Sequence, residues 1–167
     1  DDLPVRVANG EFTLTDLRSV AKQAVDAGIA APGFGFAPRL SSNQAAYTAY
    51  LAYGGRFTTD ERLYVDADAL EKSYDFYLGL VTDEIMSPNL VGESLNSWGN
   101  RVVWRDAQAH GRFLFWDAYS FDWVQWQMDY SDLGTEEELE NAIGRMGFPA
   151  SQPDDASRSL VIDNIGY

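Results

Sequence analysis

The sequence predicts a helix-rich α/β domain, and three observations carry that prediction. Amphipathic stretches at helical spacing recur along the chain, with capping and stop residues at their ends. Between them lie a few short aromatic or β-branched runs, of which Arg112 to Ala118 (RFLFWDA) is the most strand-like. The chain has 167 residues and is 46% hydrophobic, enough for one domain with a core of its own. With no internal repeat and no linker composition, residues 1–167 read as a single domain.

Taken in order, Asp1 to Phe12 reads as an extended lead-in with a turn at Asn9-Gly10. Thr13 to Asp16 has the form of a capping box. Leu17, Val20, Ala21, Ala24 and Val25 follow at helical spacing, and Gly28 suits the helix stop. Pro32 to Phe36 is too short and glycine-rich for a helix and reads as a strand running into a loop. Ser41, Ser42 and Asn43 can cap a helix to about Tyr53, ended by Gly54 and Gly55. Leu63 to Val65 reads as a short strand and Asp68 to Glu71 as another capping box. Leu70, Tyr74, Tyr77, Leu78, Val81 and Ile85 then form an apolar stripe. Further helices are expected over about 98–109, over about 120–128, and from Thr135, where Glu138 completes a cap, to near Gly144. The tail from Pro149 reads as loop, with a strand-like run at 159–162.

Charge narrows the partners. Lys and Arg number 12 against 26 Asp and Glu, a formal charge of -14. Such a surface repels phosphate backbones and anionic membranes, which argues against nucleic acid as a partner. Two of the cations, Lys22 and Lys72, are lysines; acid-rich, lysine-poor and cysteine-free composition suits a chain adapted to high salt, where counter-ions screen self-repulsion. Absence of Cys excludes disulfides, thiolate metal sites and a Cys nucleophile.

Catalytic motifs are weak. Ser19-Val-Ala-Lys22 matches S-x-x-K but lies within an amphipathic helix and has no partner motif. Gly33-Phe-Gly35 lacks the third glycine of a dinucleotide loop. His110, the one histidine, falls at an expected helix C-terminus, where a cationic ring suits the helix dipole. Asp66 and Asp68 read as helix caps, not calcium ligands, and Glu136 to Glu140 as a solvated helix start. No residue pattern calls for a metal or a cofactor, so binding without covalent chemistry is the expectation.

The unusual stretch runs from Trp98 to Trp126 and holds all five Trp of the chain. Within it, Trp116 to Phe121 marks a strand end turning into a helix start, where pockets of α/β proteins form. Aromatic faces there can stack on the apolar face of a sugar ring.

At these residues the chain resembles the family 1 extracellular solute-binding proteins of ABC importers, the group containing maltose- and trehalose-binding proteins. Phe34-Gly-Phe36 resembles the family's "yGf" strand, and Ala45 to Gly55 its helix ending in Gly-Gly, followed by Arg56-Phe57. Val65 to Leu70 through Leu80-Val81 resembles "vdspealeal…fyvdLv". Ala109 to Phe115, followed by Tyr119 to Phe121, resembles "…GkaAm…GsW", and Met146 to Pro149 stands where the family has "vaplP". These segments occur in family order over residues 12 to 166.

The resemblance implies one lobe of a type II periplasmic-binding-protein-like fold, a fragment of a two-lobed clamp that closes over a solute. It further implies an extracytoplasmic protein, secreted or anchored through a segment outside these residues. Its partners would be a mono- or oligosaccharide and an ABC permease, and the fragment would be a monomer. Carried across residue by residue, the ligand-binding positions are Ser42, Asn43, Gln44, Tyr47, Tyr119, Phe121 and Trp123. The chain departs from the pattern at Phe113 and Leu114, where small residues are usual, at Gln108, where phenylalanine is frequent, and at Phe121, where the family's Trp stands. Two other readings predict different surfaces. A glycoside hydrolase fragment needs two carboxylates facing each other across a cleft. An interaction module needs a flat apolar patch.

Overall fold

A computed structural model describes residues 2–38, 44–59, 62–87, 113–116, 134–135, 137–138 and 144–153. Four helices and four two-residue strands fall within them: α1 (Leu3–Ala8), α2 (Leu14–Asp26), β1 (Phe36–Ala37), α3 (Gln44–Ala52), β2 (Thr58–Thr59), β3 (Arg62–Leu63), α4 (Ala67–Thr82) and β4 (Phe115–Trp116).

The first helix corrects the extended lead-in expected for residues 1–12. No side chain caps α1, which starts at Leu3; Pro4 in its first turn is its one local start signal, and six residues are too few to show a periodic stripe. Tertiary burial holds it instead. Val7 is fully buried, and the Arg6 guanidinium lies 5.9 Å from the centre of the Phe12 ring. The Asn9-Gly10 turn is present as its terminator, with Gly10 at φ 72°.

All four helices end in the same hydrogen-bonded motif. After α1, Glu11 N donates to Arg6 O (2.8 Å) and Gly10 N to Val7 O (3.1 Å). After α2, Ile29 N donates to Ala24 O (2.8 Å) and Gly28 N to Val25 O (3.0 Å). After α3, Gly55 N donates to Tyr50 O and Gly54 N to Leu51 O, both 2.9 Å. After α4, Ile85 N donates to Leu80 O (2.9 Å) and Glu84 N to Val81 O (3.1 Å). These are Schellman closures, which need one left-handed residue each. Glycine fills that place three times, but at α4 it is Glu84, with φ 59°. A side chain there clashes with its own carbonyl. Glu84→Gly should therefore stabilise the fold by about 1 kcal/mol, read by urea unfolding. A loss of stability would mean that the Glu84 side chain contributes more than its backbone strain removes.

The α2 start matches its sequence signature. Thr13 N and Oγ1 donate to the Asp16 carboxylate (2.8 and 2.7 Å), and Asp16 N donates back to Thr13 Oγ1 (3.4 Å). The Thr13 hydroxyl, more than any other influence, holds the Asp16 carboxyl below its ordinary 3.8. Because the folded value is depressed, this contribution to stability is complete above about pH 4 and is lost as pH falls through the lowered value. Thr13→Ala should cost about 1 kcal/mol at pH 7. The gap between variant and parent should narrow on acidification, measured as the difference in urea midpoint at pH 7 and pH 3. A gap that widens instead would exclude the capping box as its source.

Helix α4 departs from its expected cap and face. Its N-cap is Asp66, which accepts from Ala69 N (3.0 Å), whereas Asp68 lies inside the first turn and pairs with Lys72 at 2.6 Å. The buried residues are Ala69, Ser73, Phe76, Tyr77 and Leu80, one position away from much of the expected stripe. Tyr74 and Leu78 are exposed (59% and 64%). Both faces of α4 carry apolar residues, and the smaller Ala69 and Ser73 side bears the packing. β3 likewise spans Arg62–Leu63 rather than 63–65, because it pairs antiparallel with β2 (Thr58 with Leu63, Thr59 with Arg62).

The glycine-rich segment before β1 is the centre of the small sheet. On one side it runs antiparallel to the chain after α4: Phe34 bridges Met86, Gly35 N donates to Ile85 O (2.9 Å) and Ser87 N to Gly33 O (3.0 Å). On the other side β1 pairs parallel with β4, Phe36 opposite Phe115 and Ala37 opposite Trp116. Gly35 is needed for closeness: an added Cβ would stand 3.0 Å from Ile85 Cγ2 and 3.1 Å from Val25 Cγ2. Around this sheet Val7, Phe12, Leu14, Leu17, Ala21, Leu80, Ile85, Met86 and Phe113 form one core. The 144–151 stretch closes it, with Leu14 N donating to Ala150 O (2.9 Å) and Ser151 N to Ala52 O (3.3 Å).

Candidate functional site

The parallel pairing of β1 with β4 sets the geometry of the expected site. Ala37 and Trp116 are register partners, so both strands finish at the same edge of the sheet. The chain continues from β1 towards Ser42, Asn43 and Gln44, and from β4 towards Tyr119, Phe121 and Trp123. Strand carboxyl ends of this kind are where α/β proteins hold ligands. Trp116, half-buried, packs against the core beside Phe115.

Of the expected ligand residues, Ser42, Asn43, Tyr119, Phe121 and Trp123 lie outside the described residues, as does His110. Gln44 opens α3. Tyr47 stands one turn along, 43% exposed, with its ring edge-on to Phe57 (centroids 5.5 Å, 86°). Phe57 in turn packs at 5.3 Å on Tyr50. The expected set did not include Phe57; the hairpin that returns it to α3 is a tertiary feature, and the Tyr47 to Phe57 spacing carries no helical or strand period.

Tyr50 fixes this region. Its ring is buried, and its hydroxyl donates to Arg56 O (2.6 Å) while accepting from Arg56 N (3.1 Å) and Asp66 N (2.8 Å). One phenol thus ties the end of α3 to the hairpin and to the cap of α4.

A depression of about 270 Å³ lies between α2 and α4, lined by Leu14, Thr15, Arg18, Tyr53, Lys72, Asp75 and Phe76. Burial raises the Tyr53 phenol above its ordinary value. The cations beside it are engaged: Arg18 Nε and Nη2 each donate to Asp83 at 2.7 Å, and Lys72 pairs with Asp68.

The weaker sequence motifs resolve into structural roles. Lys22 pairs with Asp26, and Ser19 Oγ accepts from Gln23 Nε2 (3.2 Å), so the S-x-x-K residues serve the helix surface. Thr135 N donates to the Glu138 carboxylate (2.7 Å), and Glu138 N donates to Thr135 Oγ1 (3.3 Å). This is the reciprocal cap expected there, and the Thr135 backbone bond holds the Glu138 carboxyl below its ordinary value. Among the described residues no three His, Asp or Glu side chains are grouped to hold a metal. None of their helices is long and apolar enough to cross a membrane. Comparison with family models, with curated proteins and with solved structures finds no match in any of the three.

Proposed function

We propose that this chain is one lobe of a solute-binding protein of an ABC importer, capturing a carbohydrate reversibly against the sheet edge formed by β1 and β4. The observation that carries the proposal is the parallel β1–β4 register, which brings the strand ends preceding both aromatic and polar candidate segments to one edge. The ordered family-like segments and the exposed ring of Tyr47, one turn into α3, support the same reading. In this scheme aromatic faces stack on the sugar, Ser42, Asn43 and Gln44 bond its hydroxyls, and a facing lobe completes the enclosure. The captured solute is then delivered to a membrane permease.

The test is a titration of neutral mono- and oligosaccharides followed by tryptophan fluorescence and saturation-transfer NMR, which register millimolar binding. Saturable binding that Phe121→Ala weakens about tenfold is expected. Binding of amino acids or peptides in place of sugars would overturn the carbohydrate assignment. Turnover of a chromogenic glycoside would favour the hydrolase reading.

A further inference from the structure

The start of α3 and the hairpin after it bring two kinds of group together. The first is exposed aromatic area: Tyr47, Phe57 and Tyr64 are 43%, 39% and 41% exposed. The second is unpaired positive charge. Arg6 lies over Phe12 and donates to Glu11 O, Arg18 binds Asp83, Lys22 binds Asp26, Lys72 binds Asp68, and Arg145 has an interaction of its own. Among the described residues, Arg56 and Arg62 have no partner for their guanidinium groups. In a chain of net charge -14 with 26 acidic residues, these two arginines stand on one hairpin, whose sequence also carries Asp60 and Glu61.

Register places these groups together. Thr59 pairs with Arg62, and Tyr64 N donates to Phe57 O (3.0 Å), continuing the ladder by one rung. Alternation along a strand then puts Phe57, Thr59, Arg62 and Tyr64 on one face and Thr58 and Leu63 on the other. Phe57 packs on Tyr47 and Tyr50, so the Arg62 face is the one turned to α3. All four strand residues are exposed, and Leu63 on the outer face is 93% exposed against 39% for Phe57 and 41% for Tyr64. Tyr47 and Phe57, nearly perpendicular, form a corner: one ring can be the floor under a sugar and the other a wall beside it.

We infer that this face binds an anionic sugar, a uronate whose apolar ring face stacks on Tyr47 or Phe57 while its carboxylate pairs with Arg62. The inference rests on the carbohydrate-binding reading and adds the charge of the ligand. A guanidinium matches a carboxylate in geometry as well as charge, whereas a neutral hexose would leave it unpaired. An anion is repelled by most of this surface, so its capture depends on the one described region that offers free cations beside stacking rings.

The experiment compares oligogalacturonate with its methyl ester, which keeps the sugar ring and removes the charge, by NMR titration of the whole chain at low salt. A neutral malto-oligosaccharide is the third arm. The uronate should bind about tenfold more tightly than the ester, and the advantage should fall as salt is raised. Arg62→Gln should reduce the uronate-to-ester ratio to about one, while Leu63→Gln on the outer face should leave it unchanged. Equal binding of uronate and ester, or a preference that survives Arg62→Gln, overturns the inference and leaves the carbohydrate reading standing. If none of the three sugars binds, both fail.

Discussion

Leu80→Ala is expected to lower the unfolding free energy by about 3–4 kcal/mol, while Leu78→Ala, two residues away, should change it by less than about 0.5 kcal/mol. Leu80 is fully buried against the core, and Leu78 is 64% exposed. Truncating Leu80 removes its transfer free energy and leaves a cavity that neighbours such as Leu17 and Ile85 cannot fill without moving the sheet. The pair of variants, compared by urea unfolding, decides which face of α4 is inward. A larger loss at Leu78 than at Leu80 would restore the stripe read from the sequence and reject the packing described above.

Gly55→Ala is expected to cost about 3 kcal/mol, although it adds a single methyl group. A Cβ at this position would stand 2.5 Å from both Cε atoms of the Tyr50 ring. The ring cannot step aside without loss, because its hydroxyl serves Arg56 O, Arg56 N and Asp66 N together. Displacing it leaves three part-buried backbone groups without their partner, and each such orphan costs about 1–3 kcal/mol when water cannot replace the bond. Gly54→Ala tests a different mechanism, since nothing lies within 4 Å of its added Cβ and only its φ of 85° opposes substitution. If the two alanine variants prove equally stable by thermal unfolding, the Tyr50 contact is not what requires glycine at 55.

What the sequence made legible follows the range of the interactions involved. The Thr13–Asp16 box, the stops at Gly28 and Gly54 and the Thr135–Glu138 cap are each written within a few residues, and each is found in place. α1 was not legible, because what holds it is the burial of Val7 by partners distant in the chain. Of the two caps the sequence offers for α4, Asp66 is the one used and the Asp68–Glu71 box is not; the Tyr50 hydroxyl favours that choice by binding Asp66 N. Its stripe was misread because α4 has apolar residues on two faces, and periodicity alone ranks the larger side chains first. Of the candidate site, Tyr47 was legible as an aromatic near the start of α3, but its partner Phe57 was not. Ser42, Asn43, Tyr119, Phe121 and Trp123 lie outside the described residues and remain part of the proposal.

The parallel β1–β4 pairing also bears on the order in which the chain folds. Phe36 and Phe115 meet across about 80 residues, and closing so long a loop costs several kcal/mol of chain entropy before any strand bond is made. By contrast, Gly33 to Phe36 can bond the chain after α4 as soon as residue 87 has been synthesised. The helices and the Phe34–Met86 bridge can therefore assemble as a nucleus, with one strand edge left open until residues 113–116 arrive. During synthesis that open edge is the chain's point of exposure to wrong pairing. The edge proposed to hold the ligand would then be completed only after that nucleus has formed.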